Sequence, residues 1–145
     1  MNIKTKLLRS NAKLPQRQTD GSAGADLYAN VDSKITILPN EIVKIPTGIA
    51  IELPSENYVG LVFGRSGLGI KHGISPANCV GIIDSDYRGE IIVGLQNKSN
   101  RIFYVEPNDR IAQLIIVPII PAMYVEDELN NTNRGTQGFG STGRQ

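Results

Sequence analysis

Short apolar, β-branched runs follow one another along most of this chain, each closed by a cluster of turn residues. The runs cover residues 35–38, 42–45, 49–53, 58–63, 80–83, 90–96, 101–105, 111–117 and 123–125. Pro39-Asn40, Pro46-Thr47-Gly48, Pro54-Ser55, Asn97 to Asn100 and Pro107-Asn108-Asp109 punctuate them. Runs this regularly spaced, in a chain with 15 glycines and 8 prolines, read as strands joined by turns. They predict an all-β fold, a jelly-roll-like sandwich or barrel. Only residues 66–73 can hold a helical turn or two, and their glycines weaken it.

Side-chain parity sharpens the expectation. In the run 90–97, Ile91, Val93 and Leu95 share one face and Ile92, Gly94 and Gln96 the other. The run 111–117 is apolar on both faces apart from Gln113. That implies burial on both sides, either within a sandwich or at a contact between subunits, and we expect an oligomer.

At 145 residues the chain reads as one domain. Its 40% hydrophobic and 20% charged residues mark a globular protein. The net charge of +1, with no basic block, argues against a general nucleic-acid binder. The longest greasy stretch, residues 114–125, is broken by Pro118 and Pro121 and falls short of the about 20 residues a membrane span needs. Lys4, Lys6 and Arg9 precede no long apolar stretch, so no secretory signal is read there. Cys79 is the only cysteine, which excludes an internal disulfide and favours a reducing compartment. The expectation is a cytoplasmic protein without a membrane partner.

The C-terminal stretch follows different rules. Phe139 stands alone among glycines and small polar residues from Arg134 to Arg144, with no hydrophobic period around it. A large aromatic without a core needs an outside partner. Glycine amides, the Ser141 and Thr142 hydroxyls and the Arg134 fork are the donors a phosphate requires, and an aromatic plane beside them suits a nucleotide base. Residues 1–129 are therefore read as a β core, and 130–145 as a flexible glycine-rich arm.

Three more segments carry chemistry. Residues 81–90, Gly-Ile-Ile-Asp-Ser-Asp-Tyr-Arg-Gly-Glu, place a polar connection between apolar runs and read as a hairpin. Asp84 lies where the strand ends and Tyr87 at the loop tip. Gly64-Arg65-Ser66-Gly67-Leu68-Gly69 combines an arginine, a hydroxyl and unhindered amides, the ingredients of an anion nest without a Walker spacing. Ser22-Ala23-Gly24-Ala25-Asp26-Leu27 sets one acid between small residues and a strand. His72 reads as a surface or packing residue, Cys79 as a small buried hydrophobe and Arg110 as one half of an inter-strand ion pair.

In this order, the segments resemble the five motifs of the trimeric dUTPase family. These are residues 23–27, 65–69, 81–89, 109–113 and 134–143, so the likeness runs from about residue 20 to the C-terminus. Gly64 stands where the family usually has proline, and Gln137 where it usually has glycine. The resemblance implies a jelly-roll homotrimer with sites between subunits that hydrolyses dUTP to dUMP and pyrophosphate with Mg²⁺. Such a reaction limits uracil incorporation into DNA and supplies dUMP for dTMP synthesis.

Carried over residue by residue, the resemblance makes Asp84 the general base. Arg65, Ser66, Gly67 and Gln113 hold the phosphates, with Arg134, Ser141 and Thr142 closing over them. Asn78, Ile82, Ile83 and Ile92 frame the uracil, Tyr87 packs under the sugar and Phe139 stacks on the base. Asp26 binds Mg²⁺ through water. Two other readings stay open: a dCTP deaminase of the same fold, and a non-catalytic trimeric β-module.

Overall fold

The structure, a computed structural model, describes residues 1–136 and 138. Among them are eleven strands and one short helix. The strands are β1 (Lys4–Leu7), β2 (Ala25–Tyr28), β3 (Ile35–Ile37), β4 (Ile42–Pro46), β5 (Ile49–Glu52) and β6 (Tyr58–Phe63). After the helix α1 (Ser66–His72) come β7 (Ile74–Pro76), β8 (Val80–Ile83), β9 (Ile92–Asn97), β10 (Phe103–Val105) and β11 (Arg110–Pro118). The pairings form four small antiparallel sheets, β2-β11-β6-β8, β4-β9-β7, β1-β5 and β10-β3. No helix among the described residues is long and apolar enough to cross a membrane.

All four sheets feed one core. Leu27, Ile37, Ile45, Ile49, Leu95 and Ile111 come from six strands and are all but sealed from solvent. The parity expected for β9 is realised, with Ile91, Val93 and Leu95 buried while Ile92 stays exposed. β11 runs between β2 and β6. Its Ile111 and Ala112 are buried on both faces, whereas Ile115, Ile116 and Val117 are only half-buried in the single chain. Asn97 seals one end of β9, because its buried amide donates to the carbonyls of Ile37 and Arg101 and accepts from Ser99. A fully satisfied buried amide of this kind fixes three chain segments at once.

The structure corrects several expectations. Residues 81–90 do not form a hairpin: β8 pairs with β6 and β9 with β4 and β7, so the connection crosses from one sheet to another. β9 begins at Ile92 because Glu90 and Ile91 are tied instead to the β4–β5 turn, where Ile91 N–H donates to Ile49 at 2.9 Å. Residues 123–125 form no strand. Two prolines remove backbone donors just before them, and Met123 and Tyr124 are 93% and 95% exposed. Cys79 is exposed rather than buried, at φ 63° in the tight turn between β7 and β8. β1 and β7 were not anticipated, since one is largely polar and the other has three residues ending in proline.

The helical turn is present. α1 ends at Gly73, whose φ of 69° is the left-handed conformation that closes a helix, with its N–H donating to the Gly69 carbonyl. His72 is exposed and its ring lies 5.5 Å from that of Phe103, a packing role.

Candidate active site

β8 is an edge strand, so alternate N–H and C=O groups along its outer side have no partner within the sheet. The crossing to β9 leaves a cleft of about 520 Å³ against that edge. Ile82, Ile83 and Asp84 line one side and Ile91, Ile92 and Val93 another, with Asn78 and Tyr87 also on the wall. Asn78, Ile82, Ile83, Tyr87 and Ile92, all anticipated for the base and sugar, therefore line one cleft. Gly81 matters for close approach, because a Cβ there would lie 3.2 Å from that of Val62 and 3.5 Å from Asn78 Nδ2. Its absence lets the Asn78 amide sit over the strand.

Asp84 follows the last residue of β8 and is exposed. Its carbonyl accepts the Tyr87 N–H at 3.2 Å, closing a turn that sets carboxylate and phenol on one short loop. Arg88 braces that loop from within, its Nη1 donating to the carbonyls of Ser85 at 2.8 Å and Tyr87 at 3.1 Å. The Tyr87 hydroxyl donates to the Glu90 carbonyl at 3.0 Å.

A second cleft, about 390 Å³, gathers Asp26, Arg65, Ser66, Gly67 and Gln113. Asp26 is the buried anchor. Its Oδ1 accepts from Arg65 Nε at 2.9 Å and its Oδ2 from Arg110 Nη1 at 3.3 Å, and Arg65 Nη1 also donates to the Arg110 carbonyl. The inter-strand ion pair expected of Arg110 is thus present. Gln113 donates through Nε2 to the Gly64 carbonyl at 3.0 Å, leaving the second amide hydrogen for another acceptor. Gly24 makes room for it, since a Cβ there would stand 2.8 Å from Gln113 Oε1. The first helical bond runs from Gly69 N–H to the Arg65 carbonyl, so the amides of Ser66, Gly67 and Leu68 have no acceptor inside α1.

The two clefts share no lining residue. β6 explains why. Its register pairs Gly60 with Ile83 and Phe63 with Val80, so Asp84 lies beside the start of β6 and Arg65 beyond its end. Six residues of strand put these side chains roughly 20 Å apart. Arg134 is exposed at a bend outside both clefts. Phe139, Ser141 and Thr142, like Gln137, lie outside the described residues.

The family model for dUTPase matches residues 10–143. The chain belongs to the dUTPase family. A deoxyuridine 5'-triphosphate nucleotidohydrolase of Desulfitobacterium hafniense is 54% identical over 132 residues, 90% of this chain and 87% of that protein. The same enzyme from Thiobacillus denitrificans is 46% identical over the full length of both. Among solved structures, the dUTPase of Staphylococcus bacteriophage 80alpha with dUpNHpp superposes with a TM-score of 0.85 at 30% identity, covering 99% of each chain. A mutant dUTPase from phage phi11 of S. aureus, described with a structural Mg(II) ion, gives 0.79 at 25% identity over 89% of this chain and 98% of its own. The all-β jelly roll is therefore the family's fold.

Sequence reasoning missed Glu90 and Gln18, which line the first and second clefts. Glu90 carried a signal, a charge at the mouth of an apolar strand. Gln18 carried none.

Proposed function

We propose that this protein hydrolyses dUTP to dUMP and pyrophosphate. The cleft at the β8 edge carries the reading: a slot with unpaired backbone groups, a carboxylate at its end and a tyrosine across its mouth. Family membership and the dUTP analogue dUpNHpp in the phage relative agree with it.

Uracil presents acceptors at O2 and O4 and a donor at N3, and cytosine reverses the pattern at N3 and position 4. Fixed backbone donors and acceptors along Ile82 and Ile83, with the Asn78 amide, favour one of these edges. Each mismatched buried polar group costs about 1–3 kcal/mol. Ile82 and Ile92 narrow the slot against thymine's methyl group. Tyr87 beneath the sugar leaves no room for a 2′-hydroxyl, and Phe139 from the arm stacks on the base.

Asp84 takes a proton from water as its oxygen attacks the α-phosphorus and the bond to the bridging oxygen breaks. A carboxylate within about 3 Å of that water is the geometry required. Arg65, the amides of Ser66 and Gly67, and the second Gln113 hydrogen hold the phosphates, while Arg134, Ser141 and Thr142 close over them.

The donor set argues against a resident metal. Among the described residues no three His, Cys, Asp or Glu stand together, and Asp26 already answers two guanidinium groups. An ion arriving on the triphosphate fits, because Mg²⁺ keeps several waters and takes one carboxylate with phosphate oxygens. Asp26 would hold it through water, and Mg²⁺ would offset charge gathering on the pyrophosphate.

One triphosphate cannot reach both clefts of a single chain, because its reacting and distal phosphorus atoms lie only a few ångströms apart. The base cleft of one subunit must meet the phosphate cleft of another, which supports an oligomer with shared sites, in keeping with the homotrimer that the resemblance implies. The half-buried end of β11 and the exposed run through Met123 and Tyr124 offer apolar surface for such contacts. Residues 130–145 act as the closing arm on a core of 1–129. In a cytoplasmic setting the reaction limits uracil in DNA and yields dUMP for dTMP synthesis.

Pyrophosphate release measured across dUTP, dCTP, dTTP and UTP tests the reading. Release from dUTP alone is expected. Ammonia from dCTP would identify a deaminase instead, and no turnover of any would leave a binding module.

A further inference from the structure

Tyr87 has no core to hold it. It is 44% exposed, and its ring is fixed by a single side-chain hydrogen bond, from its hydroxyl to the Glu90 carbonyl at 3.0 Å. It also folds across Gly89, where a Cβ would overlap the ring. The aim of this side chain therefore depends on what holds Glu90.

Glu90 is held from the far side. Its Oε1 accepts the Gly48 N–H at 2.7 Å, across the β4–β5 turn. The next carbonyl, that of Ile91, accepts both the Thr47 hydroxyl at 2.6 Å and the Thr47 N–H at 3.2 Å. Thr47 is almost wholly buried. Gly48 sits at φ 71°, and a Cβ there would press on Ala12 and Asn30, so the turn has little freedom to shift. The cleft wall thus contains two carboxylates in different situations. Asp84 is exposed at the loop, whereas Glu90 is turned onto a backbone donor.

We infer that Glu90 is a specificity-positioning residue: with Thr47, it anchors Tyr87 and so sets discrimination between deoxyribose and ribose. This rests on the reading of Tyr87 as the residue beneath the sugar. A loosened Glu90 lets the phenol swing aside and admits the 2′-hydroxyl, so activity toward UTP rises more than activity toward dUTP falls.

The test compares kcat/KM for dUTP and UTP in the full-length enzyme. Glu90→Ala should lower the dUTP/UTP ratio about tenfold, chiefly through a gain on UTP. Glu90→Gln keeps an oxygen acceptor for the Gly48 N–H and should restore the wild-type ratio. Thr47→Val removes the shorter of the two bonds that hold Ile91 from the other side and should lower the ratio too, which carries the test if Glu90→Ala does not fold. A merely structural role would depress both substrates in parallel and leave the ratio unchanged, and that result overturns the inference. Tyr87→Ala separates the two failures. If it collapses the ratio while Glu90→Ala and Thr47→Val do not, only the anchoring is wrong. If it leaves the ratio unchanged, the sugar reading falls and the inference with it.

Discussion

Arg65 donates through Nε to Asp26 at 2.9 Å, so the arginine of the phosphate cleft is held in place before any ligand arrives. A guanidinium fixed through one edge spends less conformational entropy on binding than a free one. Arg110 occupies the other carboxylate oxygen at 3.3 Å. Removing the buried acid leaves two partly exposed cations facing each other with no anion between them.

Asp26→Ala should therefore weaken both fold and binding. We expect a loss of about 1–3 kcal/mol in urea unfolding, since the arginines stay partly hydrated. KM for dUTP should rise as well. An unchanged KM would show that Arg65 needs no anchor.

Asp84→Asn should nearly abolish turnover while nucleotide affinity stays within a few-fold. The carboxylate is exposed at the end of β8, so the amide costs the fold little. Loss of a general base lowers kcat by about 10²–10⁴-fold. Wild-type kcat, with the affinity for dUpNHpp measured alongside, would remove Asp84 from the mechanism.

Asp84→Asn and Arg65→Ala subunits, unfolded and refolded together, should complement. Each supplies the half the other lacks, so about a quarter of all sites regain both on random assembly into symmetric oligomers. Sites built within one subunit would regain nothing.

Deleting residues 134–145 should cripple hydrolysis and leave the fold intact, because among the described residues the strands and core end before it. Full activity in the shortened chain, with its thermal unfolding compared with wild type, would contradict the closing arm.

Glu52 gives a pH signature. The hydrogen bond and charge of Lys4 hold its carboxyl below the usual 4.5, with a smaller contribution from Arg88. A pKa lowered in the folded state means the contribution is complete above 4.5 and is lost as pH falls through the depressed value. Glu52→Gln should flatten that part of the acid limb of stability. The pair is solvent-exposed, so added salt should shrink the difference. Equal acid limbs in low salt would count against it.

What the sequence disclosed was local. Ile91, Val93 and Leu95 announced a buried face by alternation alone, and β6 and β8 matched the expected runs residue for residue. The bracketing of Asp26 was hidden, because its partners lie 39 and 84 residues away and no short pattern links them. The hairpin reading of 81–90 failed for the same reason. Turn residues say that a strand ends, but not which sheet the next one joins.

The length of β6 has a genetic corollary. If every working centre borrows one end of the strand from each of two neighbours, a defective copy made alongside an intact one spoils centres it does not wholly own. A lesion in one half of the centre would then leave a cell with one sound gene about half its capacity, whereas a copy that still assembles with both halves ruined would leave about a quarter and behave as dominant.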